Sequence, residues 1–215
     1  MINRIQYISQ QSDAVSHIDG IEGACAAGVK WIQLRVKEQP QNEVLLLARE
    51  AKAICDRHEA RLIINDFPEV AAAIGAYGLH LGKEDMPVAK ARALVGDRMI
   101  IGGTANTFED IRQHYADGAN YVGVGPYRFT TTKKKLSPVL GLDGYRNILQ
   151  QCATFDIALP LIAIGGIELA DIPGLLQAGV YGVAVSGLIA QATDRRQTVD
   201  SLYRLFPTQQ TEAVC

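Results

Sequence analysis

The sequence predicts a single-domain (β/α)8 barrel, and three observations carry that prediction. Eight short apolar runs are each followed by a stretch with helical periodicity. Four helix-to-strand junctions share one form, in which a helix closes on glycine and a strand opens three residues later: Gly28 before Trp31, Gly75 before Gly78, Gly118 before Tyr121 and Gly179 before Gly182. The repeat introduces every second strand, an even spacing that suits a closed ring better than an open doubly wound sheet whose winding reverses once. Polar residues gather just after the strands, at the end where barrels keep their reacting groups.

The elements follow in order. Residues 5–8 form the first apolar run, 18–27 a helix and 31–35 the second strand. Residues 42–58 carry Val44, Leu47, Ala48, Ala51 and Ile54 at helical spacing and make the clearest amphipathic helix. Strands at 62–65 and 78–81 flank a small-residue helix at 70–74, and a helix at 87–95 begins on Pro87. The pattern continues with a strand at 99–101, a helix at 107–116, a strand at 121–124 and a helix at 143–151. A strand at 161–164, a helix at 169–177, a strand at 182–185 and one long helix at 188–205 complete it. The barrel domain spans 1–207, and 208–215 reads as a polar tail that frays.

With 215 residues and 48% hydrophobic content the chain can bury one substantial core. No apolar stretch is long enough to cross a bilayer, and the first eleven residues lack the basic start and apolar middle of a signal peptide, so a cytoplasmic protein is expected. Cys25, Cys55, Cys152 and Cys215 are scattered without a C-x-x-C pair, which argues against zinc and against a disulfide framework. A formal net charge of −2 argues against a nucleic-acid-binding face. Positive charge is instead local, as a small anionic ligand requires.

That local charge lies after the sixth strand. Gly125-Pro126 ends the strand, and Arg128, Thr130, Thr131, Thr132, Lys133, Lys134 and Lys135 follow with no carboxylate before Asp143. Hydroxyls beside concentrated positive charge suit a phosphate or diphosphate; a solvated basic loop tip is the alternative. After the second strand, Gln33, Arg35 and Lys37 are spaced by two and can face one way, as a diphosphate clamp or a salt-bridged strand end. After the third and fourth strands come Asn65-Asp66 and Gly82-Lys83-Glu84-Asp85. Asp66 with Glu84 or Asp85 could share an octahedral Mg2+ completed by water and phosphate, or Asp66 and Asp85 could be the N-caps of the next helices. Gly102-Gly103-Thr104 reads as a turn that could meet an anion, and Gly165-Gly166 with Val185-Ser186-Gly187 as a second phosphate site after the last two strands. His80, between Leu79 and Leu81, reads as a structural hydrogen-bonder, while His17, His58 and His114 fall away from the rim.

Q-L-R-V-K at 33–37, I-N-D at 64–66, G-L-H-L-G-K-E-D-M-P at 78–87, V-G-V-G-P at 122–126, T-T-T-K-K at 130–134, P-V-L-G-L at 138–142, A-I-G-G-I at 163–167 and G-V-A-V-S at 182–186 resemble the thiamine-phosphate synthase family, in order across nearly the whole chain. The resemblance implies a TIM barrel, a transferase that joins 4-amino-2-methyl-5-(diphosphooxymethyl)pyrimidine to 4-methyl-5-(2-phosphoethyl)thiazole with release of diphosphate. It implies that Gln33, Leu34, Arg35, Val36, Lys37, Asn65, Thr104 and Lys133 hold the pyrimidine diphosphate, with Arg35, Lys37 and Lys133 catalytic. Asp66 and Asp85 would bind Mg2+, and Thr130, Thr131, Thr132, Gly165, Val185 and Ser186 the thiazole phosphate. The implied partners are two small phosphorylated substrates, with neither nucleic acid nor membrane, and a homo-oligomer is compatible with the sequence. Two departures stand out: Thr104 replaces the family's usual serine, and Phe129 a frequent proline. Two other readings compete. A thiazole tautomerase-like relative would carry histidine at Pro126 and lack the full metal and lysine set, and a non-catalytic sensor of thiamine intermediates would bind without releasing diphosphate. The polar tip at 130–135 and Gly125 also suggest a closing lid.

Overall fold

In the computed structural model, which describes residues 2–12, 15–129 and 137–206, the eight predicted strands close into one parallel ring. β1 (Ile5–Ile8), β2 (Trp31–Leu34), β3 (Arg61–Asn65), β4 (Gly78–Leu81), β5 (Ile100–Ala105), β6 (Tyr121–Val124), β7 (Leu161–Ile164) and β8 (Gly182–Val185) pair in chain order, and β8 returns to β1 with Gln6 opposite Ala184. The helices between them are α1 (His17–Ala26), α2 (Gln41–Arg57), α3 (Pro68–Ile74), α4 (Val88–Val95), α5 (Phe108–Ala116), α6 (Gly141–Thr154) and α7 (Ile172–Ala178). α8 (Gly187–Ala190) and α9 (Arg195–Leu205) follow the last strand. Each glycine of the fourfold repeat has positive φ, from 61° at Gly75 to 104° at Gly28, a backbone that glycine adopts without strain and that turns each helix back toward the ring.

Period-two alternation divides the strand residues between two cores. Residues such as Ile32, Leu34, Leu62, Ile64, Leu79 and Val122 pack outward against the helices. Trp31, Ile63, Tyr121, Ile162 and Ala184 fill the inside of the ring. The ring of Trp31 meets that of Tyr121 edge-on, with centroids 5.0 Å apart.

Two expectations are corrected. Gly102, Gly103 and Thr104 are not a turn but the middle of β5. Their glycines serve close packing: a Cβ at Gly102 would lie 2.1 Å from Cζ of Tyr121, and one at Gly103 would lie 2.5 Å from Cε1 of His114. The long final helix is two helices, because the Asp194 side chain accepts the Gln197 N–H and starts α9 afresh. The polar tail at 208–215 lies outside the described residues. Cys25, Cys55 and Cys152 are free and buried, and no helix among the described residues is long and apolar enough to cross a membrane.

Candidate functional site

The C-terminal ends of the strands surround a cavity of about 620 Å3. Its floor is one polar layer of the barrel interior, Gln33 from β2, Asn65 from β3, His80 from β4 and Thr104 from β5, all buried. The layer sits directly above the apolar one because each of these residues is two positions along its strand from an inward-facing neighbour. Gln33 Nε2 donates to Asn65 Oδ1 at 2.8 Å, while Gln33 Oε1 and Asn65 Nδ2 are buried without a protein partner. An acceptor and a donor lie side by side, both requiring a ligand or water to satisfy them. His80 bonds Thr104 Oγ1 at 3.0 Å through Nε2 and the Tyr121 hydroxyl at 3.1 Å through Nδ1.

Gln33, Arg35 and Lys37 all line the cavity, as their spacing predicts. Leu34 and Val36, expected among the ligand contacts, have side chains buried in the outer core with 1% and 3% exposure; only their backbone is left for a ligand. The same alternation that points three residues inward sends these two outward. The Arg35 N–H donates to Ser9 Oγ at 3.0 Å, and Ser9 Oγ bonds His17 Nδ1 at 2.8 Å. His17 thus braces the rim from behind instead of lying apart from it, and burial together with the nearby Arg35 charge holds its pKa below 6.5. Burial likewise lowers the pKa of Arg35, against the opposing pull of Asp66 and Asp85.

Neither candidate carboxylate is a helix cap. The N-cap of α3 is Phe67 and that of α4 is Pro87, and neither makes a side-chain capping bond. Asp66 instead has φ 67°, a left-handed backbone tolerated best by Gly, Asn and Asp. Its carboxyl pairs with the Lys37 ammonium and is hydrogen-bonded to Asp85. Burial, and then that bond to Asp85, raise the Asp66 pKa from 3.8 to about 6. Burial pushes Asp85 upward too, but the bonds from Asp66 and from the Gly82 N–H, the latter at 2.7 Å, outweigh it and hold Asp85 below its usual value. Two neighbouring carboxyl groups in a partly buried rim fit a divalent cation, which would relieve their mutual repulsion. No group of three metal-ligating side chains occurs among the described residues, so other ligands would have to complete the shell.

Gly165, Gly166, Val185 and Ser186 line the opposite side of the same cavity. Ser186 directs its hydroxyl to the Ile8 carbonyl at 2.7 Å. Arg128, counted above with the basic stretch, is already paired: Nη2 donates to Asp171 at 2.9 Å, and Nη1 donates to the Gly166 carbonyl at 3.0 Å and lies 3.1 Å from Glu168. It ties the chain after β6 to the loop after β7, and its aliphatic stem lies where a Cβ at Gly166 would be, 2.4 Å from Cγ. Thr130, Thr131, Thr132 and Lys133, with the lid expected at 130–135, lie outside the described residues. Sequence reasoning missed Asn106, whose Nδ2 donates to the carbonyls of Gly125 and Pro138, each at 2.9 Å, and so pins both ends of that segment. Its place just after β5 was the available signal.

Comparison with known proteins agrees with this geometry. A family model described as thiamine monophosphate synthase matches residues 6–189. A thiamine-phosphate synthase of Bacteroides thetaiotaomicron is 52% identical over 190 residues, covering 88% of this chain and 91% of the relative. One from Flavobacterium johnsoniae is 46% identical over 202 residues, covering 94% and 95%. A solved thiamine phosphate pyrophosphorylase from Pyrococcus furiosus superposes with a TM-score of 0.79 at 27% identity over 94% of each chain.

Proposed function

The chain belongs to the thiamine monophosphate synthase family and is a transferase of thiamine biosynthesis acting on small phosphorylated substrates; we propose that its cavity joins 4-amino-2-methyl-5-(diphosphooxymethyl)pyrimidine to 4-methyl-5-(2-phosphoethyl)thiazole. The observation that carries this assignment is the unpaired Gln33 Oε1 and Asn65 Nδ2 on the floor, within the cavity that Arg35 and Lys37 also line. An aminopyrimidine offers an exocyclic N–H for the first and a ring nitrogen for the second, and its diphosphate takes the cations. Gly165, Gly166, Val185 and Ser186 receive the thiazole phosphate across the cavity, so the two reacting atoms meet between them.

The chemistry asks little proton transfer of the protein. The electron-rich pyrimidine supports positive charge on its methylene carbon as diphosphate departs, and the thiazole nitrogen attacks that carbon. Arg35 and Lys37 neutralise charge that grows on the leaving group, so their donors act most strongly in the transition state. Mg2+ held by Asp66 and Asp85 would add further neutralisation of the diphosphate. Pro126 lines the cavity where a tautomerase-like relative would present histidine. A cytoplasmic site of action and the absence of a nucleic-acid partner complete the reading, the latter supported by the net charge of −2.

The test supplies both substrates with Mg2+ and then with EDTA, following thiamine phosphate and diphosphate. Product that forms only with metal is expected. Binding of both ligands without product would turn the assignment to a sensor or a diverged relative, and product in EDTA would remove the metal from it.

A further inference from the structure

Three strands bring Tyr121, His80 and Thr104 into one hydrogen-bonded row that runs from the sealed interior of the barrel to the cavity floor. Tyr121 is wholly buried, and its hydroxyl lies 3.1 Å from His80 Nδ1, while the nearby Gln6 Nε2 is buried without a partner. A buried O–H left without an acceptor is costly, so the phenol turns its hydrogen to His80 Nδ1. That choice leaves the ring proton on Nε2, which donates to Thr104 Oγ1 at 3.0 Å. An oxygen that accepts from His80 has its own hydrogen left over. The Thr104 hydroxyl has no second partner among the described residues, and it lines the cavity. The neighbouring backbone leaves the imidazole its place, since a Cβ at Gly123 would come within 3.2 Å of His80 Cε1.

We propose that Tyr121 and His80 are positioning residues that aim the Thr104 O–H into the cavity, where it donates to an acceptor of the pyrimidine substrate. The proposal rests on Thr104 belonging to that substrate's subsite, as set out above. Without the row, the hydroxyl could rotate and donate to the imidazole instead, and the substrate acceptor would lose its partner. Threonine suits this duty because its branched Cβ restricts rotation about χ1.

The test is a kinetic cycle with Thr104→Val, Tyr121→Phe and the double variant, measuring kcat and a separate KM for each substrate alongside thermal stability. Thr104→Val and Tyr121→Phe are each expected to lower kcat/KM for the pyrimidine diphosphate by about tenfold, the order of one well-placed hydrogen bond to a substrate. KM for the thiazole phosphate should move much less. The double variant should be no worse than Thr104→Val alone, because the phenol acts only through the hydroxyl. Thr104→Ser, which keeps the hydroxyl, should lose less than about threefold. Losses that multiply in the double variant, or a Tyr121→Phe enzyme that is less stable but kinetically intact, would overturn the proposal and leave the subsite reading standing. A Thr104→Val enzyme with unchanged constants would overturn both.

Discussion

Replacing Asp66 by Asn separates a metal ligand from a structural ion pair. If Asp66 were held for stability, removing its charge would weaken the fold; the geometry argues the reverse. The carboxyl is raised from 3.8 to about 6 by burial and by Asp85. An acid whose folded pKa exceeds its unfolded one loses stability as pH rises from 3.8 through 6, and carries the whole penalty above that. Moving a carboxyl over this interval costs about 3 kcal/mol, and the opposite displacement of Asp85 offsets part of it. The Lys37 partner is 45% exposed, so losing that pair offsets less than about 1 kcal/mol. Asparagine accepts the left-handed backbone at φ 67° and adds no strain. Asp66→Asn is therefore expected to raise the melting temperature at pH 8 by about 2–8 °C. It should also abolish the stabilisation by Mg2+ that is expected of the parent protein and lower turnover at least about a hundredfold. Melts with and without Mg2+, beside turnover assays, check each part. A lower melting temperature with turnover intact would refute the reasoning and make Asp66 a structural residue.

Tyr145→Phe should cost about 1 kcal/mol in urea unfolding, because the buried hydroxyl donates to the Val124 carbonyl and accepts from the Ile164 N–H at 3.3 Å, and those two bonds would be lost; an unchanged midpoint would contradict it. His17 has a folded pKa below 6.5, so its contribution is intact above that pH and is lost as pH falls through and below it, when the unfolded chain takes up the proton more readily. Urea midpoints between pH 7 and 5 should fall less in His17→Gln than in the parent, and parallel slopes would count against this. Gly102→Ala forces a methyl carbon to within 2.1 Å of the Tyr121 ring and should destabilise by about 1–3 kcal/mol, with loss of activity if the ring shifts; a melting curve like the parent's would show that the interior has slack.

The alternation of strands and helices, the glycine that turns each repeat and the gathering of polar residues at one end of the barrel were legible because they are local. Side-chain period, helix termination and strand length depend on residues a few positions apart, and the sequence carries them directly. Local pattern failed where a distant residue decided. Gly102 and Gly103 read as a turn until the rings of Tyr121 and His114 are seen to fill the space beside them. Arg128 read as part of a basic stretch that suits a phosphate, but Asp171, 43 positions along the chain, pairs with it. Asp66 and Asp85 each read as a helix cap or as part of one metal site, and it took the observed caps, Phe67 and Pro87, to remove the first reading. The sequence by itself determined the ring and which end of it is chemical. Tertiary structure decided which polar atoms on that end are already satisfied by the protein and which, like Gln33 Oε1 and Asn65 Nδ2, are left for a substrate, because that depends on contacts between strands far apart in the chain.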